Sequence, residues 1–230
     1  MTAPLSNVLI TGAGRGIGLE FARRFADDGA HVHATVRDLA RADGLRALGA
    51  SATIHTCDVT SDAHVDALAD LLGDTPIDVL INNAGILLGR GETFDTLDVG
   101  DLEETLRVNT VAPVRVMKAL AGNVARSQRK LIVNISSRMG SISEASGNNY
   151  SYRTSKAALN MAMKILSNDL KGSGITAIVV HPGWVQTDMG GPSASLTVGQ
   201  SVDGLMKVIG KVGLRDTGSF INYDGSRIPW

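Results

Sequence analysis

Cysteine occurs once, at Cys57, so the chain can build neither an internal disulfide nor a cysteine-based metal cluster. No apolar run reaches the roughly 18 residues that a membrane span requires. Neither sign of charge is in excess: 22 basic residues are interspersed with 23 acidic ones, for a formal net charge of -1. Nothing in that balance would draw the chain to nucleic acid or to an anionic membrane. The amino-terminal MTAPLSNVLITGAG has no basic region ahead of its apolar stretch, and no secretory signal is expected. His31, His33, His55 and His64 are not spaced as ligands beside an acid cluster. They read as structural or surface groups, and no metal is expected. Aromatics are scarce at 4%, and two of only three tyrosines stand together at 150 and 152.

What remains is ordinary for a globular protein: 43% of residues are hydrophobic and 20% charged. A length of 230 residues supports one sizeable core and not two comfortable domains. A single cytoplasmic domain over 1–230 is the expectation.

Short β-branched runs alternate with helical patterns from end to end. Strands are expected at 7–11, 31–36, 52–57, 78–82, 130–136, 175–180 and 219–223, and several are apolar on both faces. Helices are expected at roughly 16–28, 38–48, 61–73, 101–127, 152–171 and 197–212. The alternation predicts an α/β fold, a doubly wound Rossmann-type sheet of seven parallel strands with helices on both faces. In such sheets ligands bind beyond the carboxyl ends of the strands. The small-residue stretch GGPSASLTVG, 190–199, follows the sixth strand and is a candidate lid over the site.

The first strand-to-helix junction reads TGAGRGIG, Thr11 to Gly18. Glycines 12, 16 and 18 suit a tight turn, close approach of backbone to a pyrophosphate, and close packing of helix on strand. The helix that follows would point its free N–H groups and positive dipole at the phosphates. At the end of the second strand, where an acid would bind an unsubstituted ribose, stand Val36 and Arg37. With Arg15 inside the glycine turn, two guanidiniums near one ribose suit a 2′-phosphate, and NADP(H) is favoured over NAD.

The stretch NNYSYRTSK contains Tyr150, Tyr152 and Lys156. Residues four apart share a helical face and residues six apart do not. If the helix begins near 151, Tyr152 pairs with Lys156, and Tyr150 reads as wall or substrate contact. An ammonium beside a phenol would favour phenolate, bringing a group of ordinary pKa about 10 within catalytic use. Tyr152 is therefore the acid/base candidate.

These pieces, together with CDVT at 57–60, NNAG at 82–85, VN at 108–109, SS at 136–137 and HPGWVQTD at 181–188, resemble the short-chain dehydrogenase/reductase family over essentially the whole chain. The SSRMGSI segment and the closing NYDGSRIPW resemble its sniffer-like and C-factor-like carbonyl reductase subgroup. The resemblance implies a tetrad of Asn109, Ser137, Tyr152 and Lys156. Tyr152 would exchange the proton, Ser137 would hold the substrate oxygen, and Lys156 would bind the nicotinamide ribose. It also implies cofactor contacts from Gly12, Arg15, Gly16, Ile17, Gly18, Arg37, Asp58 (to the adenine amino group) and Val59. Further contacts would come from Asn83, Ala84, Gly85, Pro182, Gly183, Val185 and Thr187, the last holding the carboxamide. The family's usual serine-to-tyrosine spacing, counted from Ser137, lands on Tyr150; the helical pairing selects Tyr152 instead, because loops absorb insertions. Ser136 and Ser137 would face opposite ways on a strand, and Ser137 is favoured.

Asn109 falls on the inward stripe of Leu102, Leu106, Val116 and Leu120, with Pro113 four residues on, where a kink is expected. By resemblance it would support a proton-relay water; alternatively it would satisfy neighbouring strand backbone. Trp184 either lines the cleft or belongs to the core. The expected activity is NADPH-dependent hydride transfer to a small-molecule carbonyl, or the reverse from an alcohol, through an open cleft. Ala157, Ala158 and Ala162 would permit close packing in a homo-oligomer, dimer or tetramer. The alternative is an NADP-binding sensor or signalling protein with little turnover. A separate substrate domain of the epimerase kind has no room.

Overall fold

The computed structural model describes residues 5–230. The amino-terminal reading of residues 1–4 lies outside them. Seven strands form one parallel sheet: β1 (Asn7–Ile10), β2 (His31–Val36), β3 (Ala52–Thr56), β4 (Val79–Asn82), β5 (Leu131–Ile135), β6 (Thr176–His181) and β7 (Phe220–Asn222). Their order is β3-β2-β1-β4-β5-β6-β7, so the chain reverses direction of winding after β3. That reversal opens a crevice at the carboxyl ends of β1 and β4. Parallel pairing needs a crossover between neighbours, and helices supply it.

Alternate strand residues go to opposite faces. Val8, Ile10, Val79, Ile81, Leu131 and Val133 pack with helices α1 (Gly16–Asp27) and α7 (Val198–Lys211). Their neighbours Leu9, Leu80 and Ile132 pack on the other side with α3 (Asp62–Leu72), α5 (Ala112–Arg126) and α6 (Tyr150–Lys171). Both faces are covered, which is why these strands read as continuous apolar runs.

Two helical expectations are corrected. Segment 38–48 is not one helix but a 3-10 turn (Leu39–Arg41), a single turn α2 (Asp43–Arg46) and another 3-10 turn (Gly49–Ser51). Asp38 caps the first turn by accepting from the Ala40 amide, and Gly44 sits where a Cβ would lie 2.6 Å from Leu19. Segment 101–127 is also subdivided. Helix α4 (Val99–Leu106) passes through a π turn, Arg107–Val111, into α5. The Ala112 amide donates to the Arg107 carbonyl, five residues back. The wide turn lies directly ahead of Pro113, whose ring cannot sit against the carbonyl four residues earlier in a regular α turn. Leu102 and Leu106 are only half-buried, while Thr105, Val108 and Asn109 turn inward.

His31 and His33 alternate with Val32 and Ala34 and so lie on the α3 face, at the β3 edge, where cover is partial. His33 Nδ1 is 3.3 Å from His55 Nε2, and the two rings stack. Burial, then the neighbours His31 and His55, push His33 from 6.5 down to about 4. Burial and then His31 lower His55 as well. The unfolded chain therefore holds protons that the native chain has released, so the cluster's contribution is complete above the ordinary histidine pKa and is lost as pH falls toward 4. The urea midpoint is expected to drop between pH 7 and pH 5, and a His33→Val/His55→Val variant is expected to show a flatter dependence over the same interval. An equal slope in both proteins would discount the cluster.

Among the described residues no helix is long and apolar enough to cross a membrane, and no group of three or more His, Cys, Asp or Glu is placed to hold a metal ion.

Candidate active site

A groove of about 830 Å³ runs across the carboxyl ends of the strands, from Arg37 and Arg41 at one end to Tyr152 and Lys156 at the other. Its floor is the junction of β1 with β4. Thr11 Oγ1 accepts the amides of Asn83 and Ala84 at 3.0 and 3.1 Å. The Asn83 side chain donates to the Thr11 and Gly12 carbonyls, both at 3.0 Å, and so clamps the glycine turn from below. Gly12 has φ +64°, and a Cβ there would lie 2.9 Å from Ala84 Cα, so only glycine fits. Gly18 lies behind the wall, where a Cβ would meet Asn83 Nδ2 at 2.5 Å. Arg15, the residue before α1, offers no side-chain cap, and the helix's first-turn amides at Gly16 and Ile17 border the groove.

At the far end Arg37 is joined by Arg41, which lies within the segment 38–48 expected to be helical and is not marked by the sequence as a site residue. The Asp38 carboxylate there is engaged by the Ala40 amide. Asp58 accepts from the Thr60 amide and hydroxyl at 2.9 and 2.7 Å. Partial burial would raise its pKa, but these bonds and then Arg37 and Arg107 hold it below the usual carboxylate value. Val59 borders the groove beside it. Arg15 itself does not turn toward Arg37: it pairs with Asp188 on the opposite wall. Asp188, within HPGWVQTD, is a second groove residue that the sequence does not mark, although Pro182, Gly183, Trp184, Val185 and Thr187 of the same stretch are candidates.

At the inner end α6 begins at Tyr150, two residues ahead of the expected 152–171, with Tyr150 partly exposed at its first position. Tyr152 and Lys156 stand a turn apart, both buried, at 8% and 5% exposure. The Tyr152 phenol lies beside Ser137, near enough for that side chain to pull its pKa down. Ser136 turns away and donates to Asn160 Oδ1 at 2.7 Å, so Ser137 is the serine that meets the phenol. Lys156 Nζ donates to the Ile135 carbonyl at 2.8 Å and lies 5.7 Å from the centre of the Tyr152 ring.

The titration differs from the sequence expectation. Burial pushes the phenol up to about 12, opposed only by Ser137. Burial pushes Lys156 down to about 8. Desolvation outweighs any help the ammonium gives the phenolate at this separation.

Asn109 is fully buried in the π turn. It accepts from the Ile86 amide at 2.9 Å and donates to the Ile86 carbonyl at 2.9 Å and to Ser155 Oγ at 3.0 Å. It thus ties the segment after β4 to α6, close to the alternative reading in which it satisfies strand-end backbone. A Cβ on Gly85 would sit 3.2 Å from its Oδ1 and 3.8 Å from Lys156 Nζ.

The loop after β6 forms the remaining wall. Pro182 and Thr187 border the groove, and Thr187 lies across it from Gly16, where a Cβ would be 3.3 Å from Thr187 Cγ2. Gly183 and Val185 sit beneath, Gly183 with room for no Cβ against Leu196 and Val185 bridged to Leu196. Trp184 is 54% exposed and donates to the Gly190 carbonyl at 2.9 Å, so it is not core.

The family model for short chain dehydrogenase matches residues 6–195. The C-signal protein of Myxococcus xanthus is 41% identical over 156 residues, 67% of this chain and 93% of that protein. Among solved structures, carbonyl reductase from chicken fatty liver with NADPH bound superposes with a TM-score of 0.91 at 35% identity, covering 99% of this chain and 100% of the other. Carbonyl reductase Sniffer of D. melanogaster gives 0.90 at 35% identity, covering 98% and 100%. With the sheet order, the clamped glycine turn and the paired Tyr152 and Lys156 already in place, these likenesses leave one conclusion: the chain belongs to the short-chain dehydrogenase/reductase family.

Proposed function

We propose that this oxidoreductase is an NADPH-dependent carbonyl reductase with Tyr152 as its general acid and base. One observation carries the reading: a buried phenol beside Ser137 stands one helical turn from a buried lysine at the inner end of the groove. The rest of the groove fits a dinucleotide. Gly12 lets backbone approach closely, α1 presents uncapped amides for phosphate, and Arg37 with Arg41 suits a 2′-phosphate where Val36 offers no carboxylate. In this reading Asp58 and Val59 hold the adenine, and Ala84, Gly85, Pro182, Gly183, Val185 and Thr187 shape the nicotinamide end.

When bound, the nicotinamide supplies the hydride. Ser137 holds the carbonyl oxygen, and Tyr152 gives its proton to that oxygen as negative charge develops there. A phenol held near 12 is protonated at neutral pH, the form that reduction needs. Alcohol oxidation needs the phenolate and gains as pH rises. Lys156 holds the nicotinamide ribose and steadies the phenolate once the proton has left. Asn109 keeps α6 and the segment after β4 in register. Residues 190–199 act as the substrate lid, tied down by Gln186 to the Ala194 carbonyl and by Thr187 to the Gly190 amide.

NADPH consumption with aromatic and aliphatic ketones, aldehydes and quinones tests the activity. Turnover of none of them by protein that binds NADPH would favour the second reading, a dinucleotide sensor, which the likeness to C-signal keeps in view. Cofactor choice is tested separately. Arg37→Asp is expected to weaken NADPH binding by about ten- to a hundredfold, the loss of one or two charge-assisted phosphate contacts. NADH binding is expected to change little, and nucleotide fluorescence titration reads both. Equal weakening of both cofactors would remove Arg37 from the 2′-phosphate site.

A further inference from the structure

Helix α6 carries both Tyr152 and Lys156, yet its own sequence does not cap it. Asn149, the residue before its first turn, is left-handed with φ 52° and ψ 46°, and makes no capping bond with its side chain. The cap comes from elsewhere. Glu92, on the segment between β4 and α4, accepts the Ser151 amide through Oε1. The same segment grips the helix start twice more: Asn149 donates its amide to the Glu92 carbonyl at 2.9 Å, and the Gly91 amide donates to Asn149 Oδ1 at 2.9 Å.

Glu92 is 5% exposed and is not among the residues bordering the groove. A buried carboxylate is costly unless paired, and here its partner is the positive end of a 22-residue helix. The local chain is shaped to place it. Gly89 is left-handed at φ +58°, accepts the Glu92 amide at 3.0 Å, and has Glu92 Oε2 where its own Cβ would be, 2.0 Å away. Between the two glycines Arg90 reaches the carbonyl of Met189, the residue just before the lid. Residues 89–92 thus join the start of the tyrosine helix to the base of the lid at Met189.

We infer that Glu92 is a positioning residue, a remote N-cap that sets where Tyr152 stands. The inference rests on the reading of Tyr152 as the proton donor. Misplacing a reacting group by about 1 Å can cost on the order of a hundredfold in rate. Glu92→Ala is therefore expected to lower kcat by about ten- to a hundredfold, with NADPH affinity changing much less, because the glycine turn, Arg37 and Arg41 at the phosphate end of the groove are untouched. Glu92→Gln keeps the acceptor oxygen and is expected to restore most of kcat. Gly89→Ala, whose methyl displaces the carboxylate, is expected to reproduce Glu92→Ala and stands in for it if that variant does not fold.

Hydrogen exchange of the amides at 150–156 supplies a readout independent of turnover. Protection is expected to fall in Glu92→Ala and to return in Glu92→Gln. Equal protection in wild type and Glu92→Ala overturns the inference, whether or not the protein reduces any carbonyl. So does full kcat in Glu92→Ala beside an inactive Tyr152→Phe, or a loss in Glu92→Gln as deep as in Glu92→Ala. Failure of the carbonyl reductase reading alone looks different: wild type turns over nothing, while the exchange pattern still follows Glu92.

Discussion

Tyr152→Phe is expected to lower kcat for carbonyl reduction by about a thousandfold, within the range usual for removing a general acid. The variant keeps the ring and its burial against Lys156 and loses only the hydroxyl that meets Ser137. Nothing in the glycine turn or at Arg37 changes, so NADPH affinity is expected to stay as it is. Tyr150→Phe is the control. Tyr150 is partly exposed at the first position of α6 and does not share the face of Lys156, so its hydroxyl is expected to matter little to kcat. Steady-state rates with the best ketone or aldehyde substrate decide between the two tyrosines. If Tyr150→Phe is the inactive one, the proton donor has been misassigned and the serine-to-tyrosine spacing was the better guide.

Lys156→Met is expected to lose activity by about a hundredfold or more and yet to melt higher than wild type at pH 7. Burial moves this lysine from 10.5 to about 8, which corresponds to a penalty on the order of 3 kcal/mol for the charged native form. Methionine fills a similar volume with no charge to desolvate. The bond from Nζ to the Ile135 carbonyl is lost, which offsets about 1 kcal/mol. The remaining gain corresponds to a rise of roughly 5 °C for a chain of this size. The sign with pH follows from linkage. Native Lys156 loses its proton before the unfolded chain does, so the penalty is complete below pH 8 and disappears as pH rises through 8 toward 10.5. The difference in Tm between variant and wild type should therefore narrow at pH 10. A constant difference at both pH values would mean that packing, not charge, separates them.

The fold was legible because the central strands, buried on both faces, leave little choice of pattern. Val8, Leu9 and Ile10 are all apolar since each meets a helix layer, and the same holds along β4 and β5. The candidate site was legible where it sits on a regular element: Tyr152 and Lys156 are a helical pair whatever the loop before them does. It was less so in loops. Arg41 was hidden in a segment that looks helical by composition but is broken into short turns, the first capped by Asp38 and the last opened by left-handed Gly49. Asp188 had no periodicity to mark it. Glu92 could not be read at all, because it caps a helix that begins some 60 residues later in the chain. The direction of the Tyr152 shift was misjudged for a related reason. Sequence puts an ammonium one turn away, whereas the balance depends on how dry the surroundings are.

The sheet order has a consequence for how this chain assembles. Val8 pairs with Val32 on one side and with Val79 on the other. The half-sheet β3-β2-β1 can therefore close from the first quarter of the chain, but one edge of β1 stays open until β4 has been made. During synthesis Asn7–Ile10 presents unpaired amides and carbonyls on that edge while β4 is still missing. Pairings of such sequence separation slow folding, because loop closure is opposed by entropy before any contact rewards it. The clamp of Asn83 on Thr11 and Gly12 forms only when that late edge closes. Competence to bind the dinucleotide should thus appear as a late event in refolding, after most of the helical signal has returned.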